Sequence, residues 1–290
     1  MKTIRHFILP AAVALALSGC LQNETTVRIK PDGSGTIVEE TYLGAQMMAM
    51  LGGLGNLGGE KDKPAKDPID DMFGQDKAKA KASLLGTGVT FDKFEKIEKD
   101  GKKGARITYK FADINQLLLH TDDATSSLDK GMGSPPDAAA ADGIPAPETK
   151  KKKSDPIRFQ MTGGKLTISM PKPDTTGKTG NKDQPEDAKP KEDPAEKAQG
   201  EMMMKTMLAD MKIAIRVVAE SGIASTDASH VMDNTVTLME INFADLVSNP
   251  DALKTLEKLD GKSPDAVAAA LKGIKGVKVE TKDKITIKMR

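Results

Sequence analysis

Two clusters of methionine are the residues whose type and spacing most readily suggest chemistry in this chain. The first contains Met47, Met48 and Met50, and the second contains Met202, Met203, Met204, Met207 and Met211. Thioether sulfur is a soft ligand that suits Cu(I), so one hypothesis is a Cu(I) site formed by Met202, Met203, Met204 and Met207. The helical spacing of the second cluster favours a packed amphipathic helix instead. Contact with lipid or a hydrophobic partner is a third interpretation.

The histidines do not lie in a catalytic or zinc-binding pattern. His120 and His230 are not in ligand spacing with another good zinc ligand. Ser229 and Asp233 are sequence neighbours of His230, but a nucleophile and its base are recognised by spatial arrangement, seldom by adjacency. We therefore assign no catalytic residue and expect a protein that is not an enzyme, with an envelope hydrolase as the less favoured alternative.

Two further segments match a binding motif in sequence, but the residues around them do not fit such a site. Residues 53–58 read G-x-G-x-x-G, and charged residues and proline follow them. A dinucleotide-binding loop must instead lead into a helix whose N-terminus receives the pyrophosphate. The basic run 150–153 has acidic neighbours and indicates a solvated segment. No cofactor is predicted.

Cys20 is the single cysteine, and it follows a segment typical of secreted proteins. Two basic residues precede an apolar run at 7–17, and two small residues follow it. This order predicts a signal peptide at residues 1–19. The run is too short for a permanent span, since a transmembrane helix needs ~20 predominantly apolar residues.

The residues Leu17-Ser18-Gly19-Cys20 resemble the bacterial lipobox. The resemblance implies a bacterial lipoprotein that is cut before Cys20 and held to a membrane by lipid on its thiol. The acyl chains of such an anchor make attachment effectively stable. Leu21 follows where an aspartate would favour the inner membrane of enteric bacteria, so the resemblance implies the outer membrane in a Gram-negative source.

Composition excludes several classes of function. The signal peptide carries two of the 43 basic residues and none of the 42 acidic ones, so the mature chain is nearly neutral. That balance gives no electrostatic case for binding nucleic acid or an anionic membrane surface. Aromatic residues make up 3% of the chain and tryptophan is absent, which disfavours stacking sites for sugars. Since Cys20 is used for lipid, no disulfide is available.

Alternation of apolar and polar residues predicts several antiparallel hairpins. Their turns are expected at 32–35, 100–101 and 163–164, and a last hairpin is expected to pair 277–279 with 285–289. A strand that opens at 213–217 is expected to pair with 235–243. Helices are predicted at 75–85 and 201–212, from a cap at Asp113 through Leu119, and after Asn249 and Ser263.

These elements predict an α+β fold of hairpins in one or two sheets, with a few short helices and long disordered insertions. Residues 20–24 form the predicted lipidated tether. An α+β hairpin region at 25–170 follows, and a second α+β region at 201–290 is expected to pack with it. Apart from proline, residues 171–200 contain no apolar side chain larger than alanine, so they are predicted to be a disordered linker or insertion.

The opening hairpin, with Val27-Arg28-Ile29-Lys30 before Asp32-Gly33-Ser34-Gly35, resembles the start of LppM-like bacterial lipoproteins. This resemblance favours a single domain. We expect a membrane-anchored envelope protein that binds a partner protein or an apolar ligand near the bilayer.

Overall fold

The computed structural model describes residues 21–45, 47–49, 51, 67–121, 155–171, 211–249, 251 and 273–290. Within these ranges the strands are β1 (Leu21–Ile29), β2 (Gly35–Leu43), β3 (Thr90–Lys99), β4 (Lys102–Phe111), β5 (Leu118–Leu119), β6 (Ile157–Thr162), β7 (Lys165–Ser169), β8 (Lys212–Ala219), β9 (Ile223–Thr226), β10 (Val231–Met232), β11 (Thr235–Asn242), β12 (Val277–Val279) and β13 (Lys284–Met289). The helices are α1 (Pro68–Phe73), α2 (Gln75–Ala82), α3 (Phe243–Val247) and a 3-10 helix at Ile114–Gln116.

Strands β1 and β2 form the predicted first hairpin, and they pair over nine residues from Leu21↔Leu43 to Ile29↔Gly35. Asp32 stabilises the turn because its carboxylate accepts hydrogen bonds from the Ser34 backbone N–H and hydroxyl at 2.9 and 2.7 Å. Gly33 supplies the positive φ of 84° that the turn requires.

The start of β1 differs from the predicted tether at 20–24. Residues 21–24 belong to β1, and Leu21 is only 2% exposed. The alternation of apolar side chains becomes visible only at Val27, because Asn23 and Thr25 are polar although they lie on the buried face. Residues 21–24 are therefore part of the folded body rather than of a tether.

The larger sheet has the order β10-β11-β8-β1-β2-β4-β3, and β12 also pairs with β11. All neighbours are antiparallel except β1 and β8, which pair in parallel from Gln22↔Lys212 to Ile29↔Ala219. Strands on both sides of the 171–200 segment thus share one sheet. The predicted pairing of the 213–217 strand with 235–243 is confirmed.

The smaller sheet has the order β5-β6-β7-β13-β9 and is antiparallel. It contains the predicted hairpin of β6 and β7 across Gly163 and Gly164. The predicted last hairpin is wrong, because β12 pairs with β11 of the larger sheet while β13 pairs with β7 and β9. Adjacency along the chain suggested a pairing that the long-range partners of both strands override.

The described helices follow local signals where these exist. Helix α2 confirms the start of the helix predicted at 75–85 but ends at Ala82. Asp113 caps a helix as predicted, accepting the Asn115 backbone N–H at 2.9 Å, but this 3-10 helix ends at Gln116 and Leu118–Leu119 form β5. Lys212, predicted to end a helix, instead begins β8. The described residues do not include the segments 172–200 and 201–210 or the helix predicted after Ser263. None of the helices in the described ranges is long and apolar enough to cross a membrane.

Apolar side chains from both sheets and α2 form one buried cluster, which includes Val27, Tyr109, Ile168 and Ile287. A second cluster lies at the end of the larger sheet where β1 begins, and its buried members are Leu21, Leu43, Met47, Ile69, Ala105 and Met211. The described residues are mostly β structure in two largely antiparallel sheets with a few short helices, which agrees broadly with the predicted α+β class.

Candidate functional site

A cavity of about 420 Å³ lies between the larger sheet and helices α1 and α2. Strands β1, β2, β4 and β8 form its floor. Apolar groups of Met72, Phe73, Leu84 and Leu85 line the helical side, and Leu119 lies at the rim formed by the end of β5. The cavity is therefore enclosed by elements from distant parts of the sequence.

Four polar side chains on neighbouring strands give this floor its character, and we call them the polar belt: Asn23, Thr25, Glu39 and Thr41. They are 5–8% exposed. Thr25 is the register partner of Glu39, and Asn23 is that of Thr41, so the belt consists of two consecutive cross-strand pairs on one face.

The polar belt separates the two apolar clusters. Val27 and Ile37 pair on one side of it and belong to the first cluster, whereas Leu21 and Leu43 pair on the other side and belong to the second. Buried polar groups cost free energy unless they are hydrogen-bonded, so a belt at this depth is a departure from ordinary core packing. Such departures favour a binding role.

Glu39 is joined to the helical side of the cavity by Lys81. The Lys81 Nζ lies 2.8 Å from Oε1 and 2.9 Å from Oε2 of Glu39. The Glu39 side chain is 11% exposed and that of Lys81 is 32% exposed, so this ion pair is partly shielded from water. It connects α2 to the centre of the sheet. Lys77, one turn earlier, also lines the cavity and adds a second cation.

Tyr109 lines the same cavity from β4 and is fully buried. Its hydroxyl has no hydrogen-bond partner among the described residues. Burial, and to a smaller extent the negative charge of Glu39, raise the pKa of Tyr109 far above its ordinary value. The phenol therefore stays protonated and keeps an unused O–H donor on a residue that lines the cavity.

The histidines that the sequence singled out are separated by the fold. His120 lines the cavity beside Leu119, whereas His230 lies in the loop before β10. Ser229 is engaged elsewhere, because its hydroxyl and backbone N–H donate to the Glu280 carboxylate at 2.9 and 2.6 Å. Asp233 occupies the turn between β10 and β11 with a φ of 54°. Ser229 and Asp233 thus have structural roles in loops.

Several predicted sites lie outside the described residues: Cys20 with its lipobox, the Cu(I) candidates Met202, Met203, Met204 and Met207, the glycine motif at 53–58 and the lysine run at 150–153. Their assignments stay predictions. Three members of the methionine clusters are described: Met47 and Met211 are buried in the second apolar cluster, and Met48 is partly buried against it. At these three positions methionine packs as an apolar side chain.

Within the described ranges, no group of three or more His, Cys, Asp or Glu side chains is placed to hold a metal ion. The polar belt was not identified from sequence. A signal for it was present, because Asn23 and Thr25 are in phase with Val27, and Glu39 and Thr41 are in phase with the buried Ile37. Polar residues at core-facing positions of paired strands indicate a site rather than a wet face.

No protein-family model matches the chain, and no curated protein matches it either. Among solved structures, it is similar to the folded domain of LppM from Mycobacterium tuberculosis, determined by NMR, with 10% sequence identity and a TM-score of 0.29. The similarity covers 78% of this chain and 85% of that domain. A TM-score this low does not establish a common fold.

Proposed function

We propose that this chain is a lipid-anchored cell-envelope protein that binds an amphiphilic molecule in the cavity above the polar belt. The observation that carries the proposal is the juxtaposition of an apolar helical wall with buried polar groups on the sheet. A volume of about 420 Å³ suits a small ligand or one segment of a larger lipid, since ligand pockets are typically ~300–1,000 Å³.

The cavity side chains define the chemistry of the ligand. Tyr109 offers an O–H donor that has no partner among the described residues. Lys77 adds an exposed cation whose Nζ also donates to the Asp71 carbonyl oxygen. A ligand with an acceptor oxygen, such as a carboxylate, ester or phosphate, would pair with the phenol and lie near this cation. Its hydrocarbon part would pack against Met72, Phe73 and Leu84. A fatty acid or an acyl lipid has both features.

The envelope location is supported by the lipobox Leu17–Cys20 and by the signal peptide before it. We propose attachment through Cys20, with the outer membrane as destination in a Gram-negative source. The role we propose is binding rather than catalysis. Ser229 donates its hydroxyl to the Glu280 carboxylate rather than to the neighbouring His230, so these two residues do not form a serine–histidine pair.

The proposal is tested with the soluble chain beginning at Leu21, titrated with a fluorescent fatty acid whose emission rises in an apolar site. Ala78→Leu and Ala82→Leu form a matched pair, since both alanines are buried on α2 but only Ala78 lines the cavity. Ala78→Leu fills space that the ligand needs, so we expect at least a tenfold loss of affinity, or about 1.4 kcal/mol.

Ala82→Leu is the control, because it adds the same volume to packed core. Overpacking should lower its free energy of unfolding by about 1–3 kcal/mol while the affinity for the probe stays within about twofold of wild type. The proposal fails if wild type does not bind the probe, or if the two variants lose affinity equally.

A further inference from the structure

Leu21 is the first residue of β1, but other strands of the larger sheet extend beyond the residues that lie level with it. Leu21 pairs with Leu43, and β4 runs beside Leu43. The β3–β4 hairpin continues past this row, with Lys99 opposite Lys102 and a two-residue turn beyond them. At ~3.4 Å per residue, the turn reaches roughly 7 Å past Leu21 along the strands and lies about 10–14 Å to the side of β1.

The end of this hairpin, residues 98–103, carries most of its charge as lysine, and we call it the hairpin tip. Lys99 and Lys103 are exposed and Lys102 is partly exposed, while Glu98 and Asp100 are its two acidic residues. The tip contains no apolar side chain, and Gly101 is its single uncharged residue. With three lysines against two carboxylates, the tip has a net charge of +1 and presents charged side chains and a glycine to its surroundings.

Chain connectivity places the hairpin tip next to the proposed anchor. Cys20 is bonded directly to Leu21, and consecutive Cα atoms are ~3.8 Å apart. Since Leu21 is already a buried residue of β1, no free residue separates the lipid-bearing cysteine from the folded body. The Leu21 end of the sheet must then lie within a few ångströms of the bilayer surface to which Cys20 is attached.

We propose that the hairpin tip lies against the lipid headgroups beside the anchor, with Lys99, Lys102 and Lys103 contacting headgroup phosphates. This inference rests on the proposed function, because it requires lipid on Cys20. Lysine near an anionic bilayer is attracted to the surface, and its long side chain can extend to the headgroups. The tip and the anchor together fix the orientation of the body, which a single flexible attachment would leave free.

The test uses the full lipidated chain in vesicles of phosphatidylethanolamine and phosphatidylglycerol. A lipid-modified Cys20 has no free thiol, so an added cysteine is the single reactive one. Lys99→Cys and Lys30→Cys are matched, since both lysines are exposed and adjoin a hairpin turn. Each variant is labelled with a fluorophore, and quenching is measured with lipids that carry a spin label on the headgroup.

We expect strong quenching at position 99 and little at position 30, because Lys30 lies nine residues along β1 from Leu21, or about 30 Å. Equal quenching at both positions, or stronger quenching at 30, would overturn the inference. Mass spectrometry of the N-terminal peptide separates the two possible failures. A peptide without lipid on Cys20 overturns the anchor and this inference together, whereas a lipidated peptide with no quenching at 99 overturns the orientation alone.

A second measurement needs no substitution. Acylation of lysines in the wild-type protein by an amine-reactive ester, read by mass spectrometry, should slow several-fold at Lys99 and Lys103 when the protein moves from detergent into vesicles. Lys30 should react at an unchanged rate. Equal protection at all three lysines, or none at the tip, would count against headgroup contact.

Discussion

The unpartnered hydroxyl of Tyr109 gives the sharpest test of the cavity, because the same atom should weaken the fold and strengthen ligand binding. Tyr109→Phe removes a buried donor that has no partner among the described residues. A buried polar group left unpaired costs about 1–3 kcal/mol, so the variant should raise the free energy of unfolding by about 1–2 kcal/mol at pH 7. Urea denaturation of the chain from Leu21 measures this change.

The pH dependence of the same variant tests the burial of Tyr109 independently. Burial, aided by Glu39, raises the pKa of Tyr109 above its ordinary value of 10.0. Above pH 10 the unfolded chain therefore loses the phenolic proton while the folded chain keeps it. The stability from this group is complete below pH 10 and falls by about 1.4 kcal/mol for each further pH unit. The advantage of Tyr109→Phe should thus grow by about 1.4 kcal/mol between pH 9 and 11.

Tyr42 is the natural control, since it is the other tyrosine of the chain and its hydroxyl donates to Glu40 at 3.5 Å. Tyr42→Phe should not stabilise the protein at pH 7. Binding of the fluorescent fatty acid completes the test, because Tyr109→Phe should lose about fivefold in affinity through one missing hydrogen bond. The reasoning is refuted if Tyr109→Phe is less stable than wild type, or if its advantage does not grow with pH.

Three further substitutions test other contacts. Lys81→Met leaves Glu39 without its cation and should cost about 1–3 kcal/mol of unfolding free energy in urea, most of which an added Glu39→Gln restores. Burial raises the pKa of Glu240, but hydrogen bonds from Arg216 and a lysine outweigh it and hold that pKa below 4.5. The stability that the ionised Glu240 contributes is present above pH 4.5 and lost below it. Between pH 6 and 3 the thermal midpoint measured by calorimetry should therefore fall further for wild type than for Arg216→Gln. Gly104→Ala would place a Cβ 1.9 Å from a β2 carbonyl oxygen and should lower the thermal midpoint, at a cost of about 2 kcal/mol or more.

The hairpins that could be predicted are those whose information is local. The turn at Asp32 and Gly33 and the turn at Gly163 and Gly164 lie between alternating strands, and both hairpins are present. The parallel pairing of β1 with β8 could not be predicted, because about 190 residues separate the partners and the sequence of neither strand identifies the other as its partner. For the same reason β12 was assigned to its chain neighbour β13 instead of β11.

The polar belt was missed for a different physical reason. A polar residue in a strand is ordinarily taken to face water, and Asn23, Thr25, Glu39 and Thr41 each fit that interpretation when a strand is considered alone. Only the covering helix α2 turns this part of the sheet into a cavity floor, and the ion pair of Lys81 with Glu39 joins the two. The site is therefore a property of tertiary packing, whereas the proposed anchor at Cys20 depends on a contiguous motif.

Because residues 21–24 belong to β1 and not to a tether, an anchor on Cys20 would hold the cavity close to the membrane. Asn23 and Thr25 lie two and four residues along β1 from Leu21, which corresponds to about 7 and 13 Å. An anchor on Cys20 would thus hold the polar belt within roughly the length of one lipid headgroup and part of an acyl chain from the bilayer surface. A ligand drawn from that bilayer would need only a short excursion to place its acceptor oxygen near Tyr109. A free tether of ten or more residues would remove this constraint, so inserting a flexible linker between Cys20 and Leu21 should leave the affinity for a soluble fatty acid unchanged and slow its capture from vesicles.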